Sequence, residues 1–279
     1  MTLALLLALA SSLAYGAADF LGGVAARGAH VLRVVVIAAP ASLLVELLLW
    51  PAIGASFPSR AVVWGAASGV ASAATFGLVY ASLALGPMSV LAPVTALVSA
   101  ALPVGVGVIS GEHVSGLAVG GMALAVAAVV LVSGDTDTHG VRPSGTALGL
   151  AFGAGAAVAL QLIFLDQAPN DSGVAPLVVG RTVASAVVVG LALTLRARLG
   201  DTRPSLPASA AAGAFDSLAN LAFLLAVRDG DLAILAVITA LYPAVTVLLA
   251  RALLAERIAM AQLAGLGLAA AAVSLLALG

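Results

Sequence analysis

The stretch GPMSVLAPVTALVSAALPVGVGVISGE, residues 86–112, carries no charge between its opening glycine and its closing glutamate. A second run of the same length and the same two ends, GDLAILAVITALYPAVTVLLARALLAE, occupies residues 230–256. Each can cross a bilayer as a helix, since about 30 Å of hydrocarbon takes roughly 20 apolar residues. Moving from 86 to 230 slides the chain by 144 positions. Gly86 then meets Gly230, Thr95, Ala96 and Leu97 meet Thr239, Ala240 and Leu241, and Glu112 meets Glu256. The match runs on: Gly121 falls on Gly265, and LAVAAV at 124–129 falls on LAAAAV at 268–273. Alanine-rich helices match one another by accident, but a shared register of Gly, Thr and Glu points to an internal duplication.

Composition widens the reading from these two runs to the whole chain. Of 279 residues, 63% are hydrophobic and 8% charged, against about a quarter charged in soluble domains. Lipid is therefore the main solvent. Cysteine is absent, which excludes a disulfide framework and thiol chemistry. All eleven cations are arginines and the net charge is −1, so there is no electrostatic footprint for nucleic acid. The opening MTLALLLALASSLAYGAADF lacks the basic region of a secretory signal and reads as a retained first span.

Block lengths and abundant Ala and Leu predict an all-α integral membrane protein of the cell membrane. Ten transmembrane helices are expected at 3–24, 32–52, 61–84, 88–110, 115–133, 146–165, 175–196, 208–227, 232–254 and 258–278. The longest hydrophilic break, GDTDTHGVRPSG, lies between spans five and six. It divides the chain into a first five-helix repeat (1–134), a connector (135–145) and a second repeat (146–279). An odd span number makes the second copy enter from the opposite face, which gives two inverted five-helix repeats. Such pairs place a solute site near the midplane, where the repeats meet.

Pro93 and Pro103 lie inside span four and Pro243 inside span nine. An interior proline frees a carbonyl and clashes with the turn before it, so both spans are expected to be broken and to line a cavity. Glycines four apart (Gly65/Gly69, Gly116/Gly120 and the series Gly145, Gly149, Gly153) are expected at close helix contacts. No Walker sequence or other cofactor signature occurs, and His30, His113 and His139 are scattered without ligand spacing, so neither a cofactor nor a metal is expected. No nucleophile–base constellation appears, so an enzyme is not expected either.

Charges at membrane depth cost roughly 2.5–3.5 kcal/mol each on insertion scales and call for a reason. Asp19, Asp216 and Arg181 sit deep in spans one, eight and seven. Arg181 can hold a substrate carboxylate or phosphate, or neutralise Asp19 or Asp216. The two carboxylates are candidates for proton coupling or an amine contact, and equally for a neutral acid or a salt bridge. Asn220 and Gln161 add donors and acceptors, and Tyr242 can stack on a substrate, whereas Tyr80 reads as packing. Arg33, one turn short of register with Arg181, reads as an interfacial residue. Glu46, followed by Trp50 and Pro51, reads as an interfacial anchor, and Glu112 and Glu256 as clamps on the helices that follow them.

These residues together resemble the drug/metabolite transporter superfamily, in particular its EamA-type members. The resemblance is densest in ALYPAVTVLLARALLAERIAMAQLAGLGLAAAAVSLLAL (240–278), where Glu256, Gln262 and Gly265 fall as in an E-x5-Q-x2-G ending. YGAADFLGGVAAR (15–27) looks like a branch with Asp in span one where many members have Asn. In the first repeat Ala118 replaces the glutamine. The resemblance implies ten helices around a central cavity bounded by spans one, three, four, six, eight and nine. It also implies export or exchange of a small organic metabolite, with protons as a candidate coupling ion. Family precedent puts both termini in the cytoplasm. The arginines at 27, 142, 196, 198 and 203 argue the reverse under the positive-inside rule. An anion or sugar-phosphate exchanger and a non-transporting scaffold are the alternatives.

Overall fold

A computed structural model describes residues 2–86, 88–112, 115–133, 144–195, 202–254 and 260–278. The helices are α1 (Thr2–Arg27), α2 (Val31–Ile53), α3 (Ser59–Leu85), α4 (Met88–Ile109), α5 (Gly116–Ser133) and α6 (Gly145–Asp166). They continue as α7 (Ala175–Leu195), α8 (Leu206–Val227), α9 (Leu232–Thr239), α10 (Pro243–Leu254) and α11 (Met260–Leu278). A 3₁₀ turn at Asn170–Ser172 precedes α7. Among the described residues there is no strand beyond one isolated bridge, and eight helical segments are long and apolar enough to span a bilayer. The protein is an all-helical, multi-pass membrane protein.

Helix starts carry the side chains expected of them. The Ser144 and Ser115 hydroxyls accept from the backbone N–H three residues on, at 3.1 and 3.0 Å, which satisfies donors that a helix leaves open. The burial pattern is inverted relative to a soluble protein. Leu48, Val63, Leu193 and Ile109 face outward, while Ser82, Glu46, Ser217 and Asn220 are fully buried. Lipid accepts the first set, and only other protein atoms can satisfy the second.

Helix pairing crosses the chain's midpoint. α1 packs on α8, α3 on α6 and α7, α2 on α7 and α8, α4 on α6 and α9, and α5 on α11. Close approach needs glycine at a few places. A Cβ on Gly69 would overlap the Gly180 carbonyl, and one on Gly213, 144 positions later, would overlap the Ala38 carbonyl. The first members of two expected glycine pairs behave differently from one another: Gly65 packs on Pro176, whereas Gly116, Gly120, Gly145 and Gly149 face open space. The tight α6 contact comes from Gly155, against the Thr95 carbonyl.

Span nine is broken where the sequence predicts, but span four is not. α4 runs through Pro93 and Pro103 without interruption. Between α9 and α10 the chain tightens into i→i+3 bonds, Leu241 N–H to the Ile238 carbonyl at 3.2 Å and Tyr242 N–H to the Thr239 carbonyl at 3.3 Å. Pro243 thus begins α10, a position that needs no N–H, and the carbonyl that it would have orphaned is taken by Tyr242.

The connections after α2, α6 and α8 meet at one end of the bundle. Ser56 N–H donates to the Ser172 carbonyl at 3.1 Å, Val174 N–H to the Gly54 carbonyl at 3.0 Å, and Arg228 Nη2 to the Gly173 carbonyl at 2.5 Å. Gly173 has φ +58°, and a Cβ there would overlap Gly54. At the same end Glu112, after α4, reaches the start of α9 and accepts from Leu232 and Ala233 N–H, both at 2.9 Å. Glu112 is thus a clamp, but on a helix of the other half and not on α5, which follows it. Its carboxylate meets the positive end of the α9 dipole. Glu256 lies outside the described residues.

Replacing Gly213 with Ala should cost about 1–3 kcal/mol through overpacking against α2, while Gly149→Ala should be neutral or slightly stabilising. Thermal unfolding of the two purified variants in detergent measures this, and equal stabilities would contradict the close contact.

Candidate functional site

The charged residues that the sequence places deep in the membrane do not form one cluster. Arg181, on α7, is 2% exposed. Its Nη2 lies 2.6 Å from Asp216 Oδ2 on α8, and its Nη1 donates to Ser72 Oγ on α3 at 2.6 Å. The guanidinium also lies over the Phe76 ring, 5.7 Å from the centroid, where ring quadrupole and cation attract. Asn220 Nδ2 donates to the Asp216 carbonyl at 2.8 Å, and Gln161 Nε2 donates to Asn220 Oδ1. Ser68 Oγ closes the chain on the Gln161 carbonyl at 3.3 Å. Four helices from both halves are therefore tied by one polar network around a neutralised ion pair. Of the two roles open to Arg181, neutralising Asp216 is the one that the geometry realises.

Asp19 stands apart. It lies on α1 beside a cavity of about 20 Å³, lined also by Tyr15, Thr75, Val79, Ser99, Val158, Leu162, Asp216, Thr239, Ala240 and Tyr242. These come from spans one, three, four, six, eight and nine, the six that the resemblance implies. Little of the space admits a water centre, so the cavity as it stands is nearly closed. Three side chains in its wall, Tyr15, Thr75 and Thr239, are buried with hydroxyl oxygens that no protein group satisfies. Tyr242 stacks obliquely on Tyr15, with centroids 6.3 Å apart, and donates its hydroxyl to the Ala92 carbonyl on α4 at 3.4 Å. It reaches the cavity because it sits in the break between α9 and α10.

The structure thus sorts the expected site residues. Asp216 touches both the network and the cavity. Arg181, Asn220 and Gln161 belong to the network, and together with Ser68 and Ser72 they line a second, smaller crevice. Asp19 and Tyr242 belong to the cavity. Pro93 and Pro103 are buried in an unbroken helix and do not line it. Sequence reasoning passed over Tyr15, Thr75 and Ser99, and read Thr95 and Thr239 as weak candidates that bond their own helix backbone, which holds for Thr95 and not for Thr239. Thr239 is the exact repeat partner of Thr95, whose hydroxyl is absorbed by the Leu91 and Ala151 carbonyls at 3.1 and 3.2 Å. The Thr239 hydroxyl has no such acceptor. Tyr80 is buried against Gly22 and Phe76, as packing requires.

Glu46 is a correction. It is not an interfacial anchor but fully buried, with Oε1 accepting from Ser217 Oγ on α8 at 2.5 Å and Oε2 without a partner. Trp50 does lie partly exposed, packed on Phe57. Residues one turn apart share a helix face, so the two differ in depth along α2: Glu46 lies level with Ser217, and Trp50 lies one turn nearer the helix end.

With the geometry in view, the comparisons can be placed. Residues 145–278 match the model of the EamA-like transporter family. This stretch, just under half of the chain, is similar to that family, which belongs to the drug/metabolite transporter superfamily. No curated protein matches it in sequence. A solved crystal structure, described only as that of a protein, shares the fold with a TM-score of 0.71 at 15% identity, over 96% of each chain. The identity is low, so this second likeness speaks for the fold alone. The family match covers the second half of the chain and includes Gln161, Arg181, Asp216, Asn220, Thr239 and Tyr242. Asp19, the carboxylate that the chain leaves beside its cavity, comes from the other half.

Breaking the ion pair should be costly because it strands a charge. Arg181→Met or Asp216→Asn alone should destabilise by about 3–5 kcal/mol, and the double variant by much less than their sum. A double-mutant cycle on unfolding in detergent reads this directly. Glu46→Gln, which keeps an acceptor for Ser217, should stay within about 0.5 kcal/mol of the parent, while Glu46→Ala should lose about 2 kcal/mol or more. The same assay distinguishes them, and a Gln variant as damaged as the Ala variant would mean that Glu46 is held by its charge.

Proposed function

We propose that the protein is a secondary transporter that carries a small organic metabolite across the cell membrane by alternating access, in the export direction and coupled to protons. The observation that carries this reading is the cavity between the halves, with an unpaired carboxylate and three unsatisfied hydroxyls in an otherwise apolar bundle. A scaffold has no use for these groups: burying them unpaired costs roughly 1–3 kcal/mol each and adds nothing to packing. An exchanger of anions or sugar phosphates would need a free cation, and Arg181 is held by Asp216.

Ten spans in two inverted five-helix repeats, 1–134 and 146–279 about the connector 135–145, fit this role. The pairing of α1 with α8 mirrors that of α3 with α6, and α4 with α9 and α5 with α11 are self-paired equivalents, as a two-fold axis in the membrane plane requires. The α2–α3 connection meets the α6–α7 turn. Pro204, in the α7–α8 connection, instead lies beside Arg33 at the start of α2. Equivalent connections therefore lie at opposite ends, which supports the inversion. The interlocked turns close one end, so the solute reaches the cavity when that end or the other opens. In the proton-coupled cycle Asp19 is the exchanging group, since an isolated carboxylate in this setting is held by a proton or by a bound cation. Asp216 contributes through its tie to Arg181.

Transport in proteoliposomes with a metabolite panel and an imposed pH gradient tests the reading. Asp19→Asn should remove the response to the gradient and leave the folded protein intact. A response unchanged in Asp19→Asn would eliminate proton coupling at this site, and no transport of any solute would eliminate the transporter reading. Tags at the N-terminus and in the 135–145 connector should report from opposite faces of the membrane.

A further inference from the structure

We infer that the solute bound in this cavity is a primary ammonium compound, held by Asp19, Thr75 and Thr239 against the faces of Tyr15 and Tyr242. The inference rests on the transporter reading and adds the chemical class of what is carried. An ammonium group has three N–H donors and no acceptor. The cavity wall offers it a carboxylate without an ion-pair partner and two threonine oxygens without hydrogen bonds, on side chains 7% and 2% exposed. Two aromatic faces adjoin them. Tyr15 is 7% exposed with its hydroxyl also unsatisfied, and Tyr242 is oriented by its bond to Ala92. Carboxylate, hydroxyl acceptors and aromatic faces together suit a small organic cation.

The charge count points the same way. Asp19 and Asp216 bring two negative charges to the region, and Arg181 returns one, already in contact with Asp216. A monocation completes the balance, whereas an added carboxylate or phosphate would face Asp19 with no free cation among the cavity-lining residues. A neutral solute would balance only with Asp19 protonated, and would leave its charge unused.

Proton and ammonium are then alternative occupants of one carboxylate, which makes the site an exchanger by construction. The charged group that acts on Asp19 is Asp216 from α8, and the titratable groups near it are Tyr80 from α3, Tyr242 from the break after α9 and Tyr15 from its own helix. None of them is a cation. Ammonium affinity should therefore fall as acidification loads Asp19 with a proton.

The experiment uses the full chain in detergent and a panel of primary amines from methylammonium to phenethylamine. Each amine is paired with its N-trimethylated analogue, its alcohol and its carboxylate, and binding is read by titration calorimetry and melting temperature. Expected are saturable binding of at least one primary amine, weaker binding of its trimethylated analogue, and none of the alcohol or carboxylate. Asp19→Asn should weaken the amine by about tenfold or more, the loss of a charge-assisted contact. Thr239→Val should narrow the preference for primary over trimethylated amine, even if the Asp19 variant proves unstable. Binding of carboxylates or alcohols in preference to amines overturns the inference, as does a panel in which no amine binds. Transport of such an acid or neutral solute by the same protein in vesicles would sink the ammonium assignment and leave the transporter reading standing.

Discussion

An arginine buried among hydrocarbon-facing helices must be answered by a negative charge, and the answer to Arg181 is Asp216. That contact fixes much else. The guanidinium is held from three sides by Asp216, Ser72 and the Phe76 ring, so α7 is committed to α8 and α3 together. Asn220 and Gln161 extend the same polar thread to α6. In a bilayer, apolar surface gives little reason for one helix to prefer another, because lipid is as apolar as leucine. The ion pair and its hydrogen bonds, with the glycine contacts of α3 and α8, supply that preference. They also decide what the cavity presents: once Arg181 is spent, the carboxylate left over is Asp19.

Much of the bundle was legible in the sequence because lipid imposes a length rule on every span. The helices of the structure fall within a few residues of the apolar blocks, and the chain's second half carries the family's pattern. The depth of Asp19, Arg181 and Asp216 was legible for the same reason, since a charge in an apolar block stands out. Which of them pair was not, because pairing depends on the rotation of each helix about its axis, and an alanine-rich helix with a weak apolar stripe does not declare a face. Glu46 shows the difficulty. Its neighbours Trp50 and Pro51 suggested an interface, yet one turn deeper along the same helix it meets Ser217 of α8. Thr75, Ser99 and Tyr15 are common residue types whose roles arise only from what lies opposite.

The clamp at Glu112 extends this point. A carboxylate at a helix end reads from sequence as local capping, whereas its acceptors are spent on the first turn of α9, more than a hundred residues on. Gly107 allows the approach, since a Cβ there would overlap the Glu112 carboxylate. The same end holds the interlocked Gly54 and Gly173 turns and the Arg228 contact. Backbone amides and carbonyls thus close this end, and such bonds exchange readily for water where the membrane ends. The central network has no such substitute partners. A bundle with its most replaceable bonds at one rim and its least replaceable bonds inside is mechanically suited to opening at the rim.

The 144-residue register makes the two halves similar in sequence, and the cavity lies where the similarity stops. Under the 144-residue register Pro243 falls opposite Ser99, Pro93 opposite Val237 and Pro103 opposite Val247. The prolines of spans four and nine therefore never coincide. Ser99 stays inside a continuous helix and returns its hydroxyl to the Ala96 carbonyl at 3.0 Å. At its counterpart, Pro243 starts a new helix, and the turn before it brings Ala240 and Tyr242 to the cavity beside the Thr239 hydroxyl, which no protein group claims. Thr95 and Thr239 are equivalent in this register, and one is structural while the other is available. A strict two-fold would have given two identical walls. The departure from it lies beside one imino acid, in a helix that lipid otherwise obliges to be regular, and on the wall that carries the polar groups.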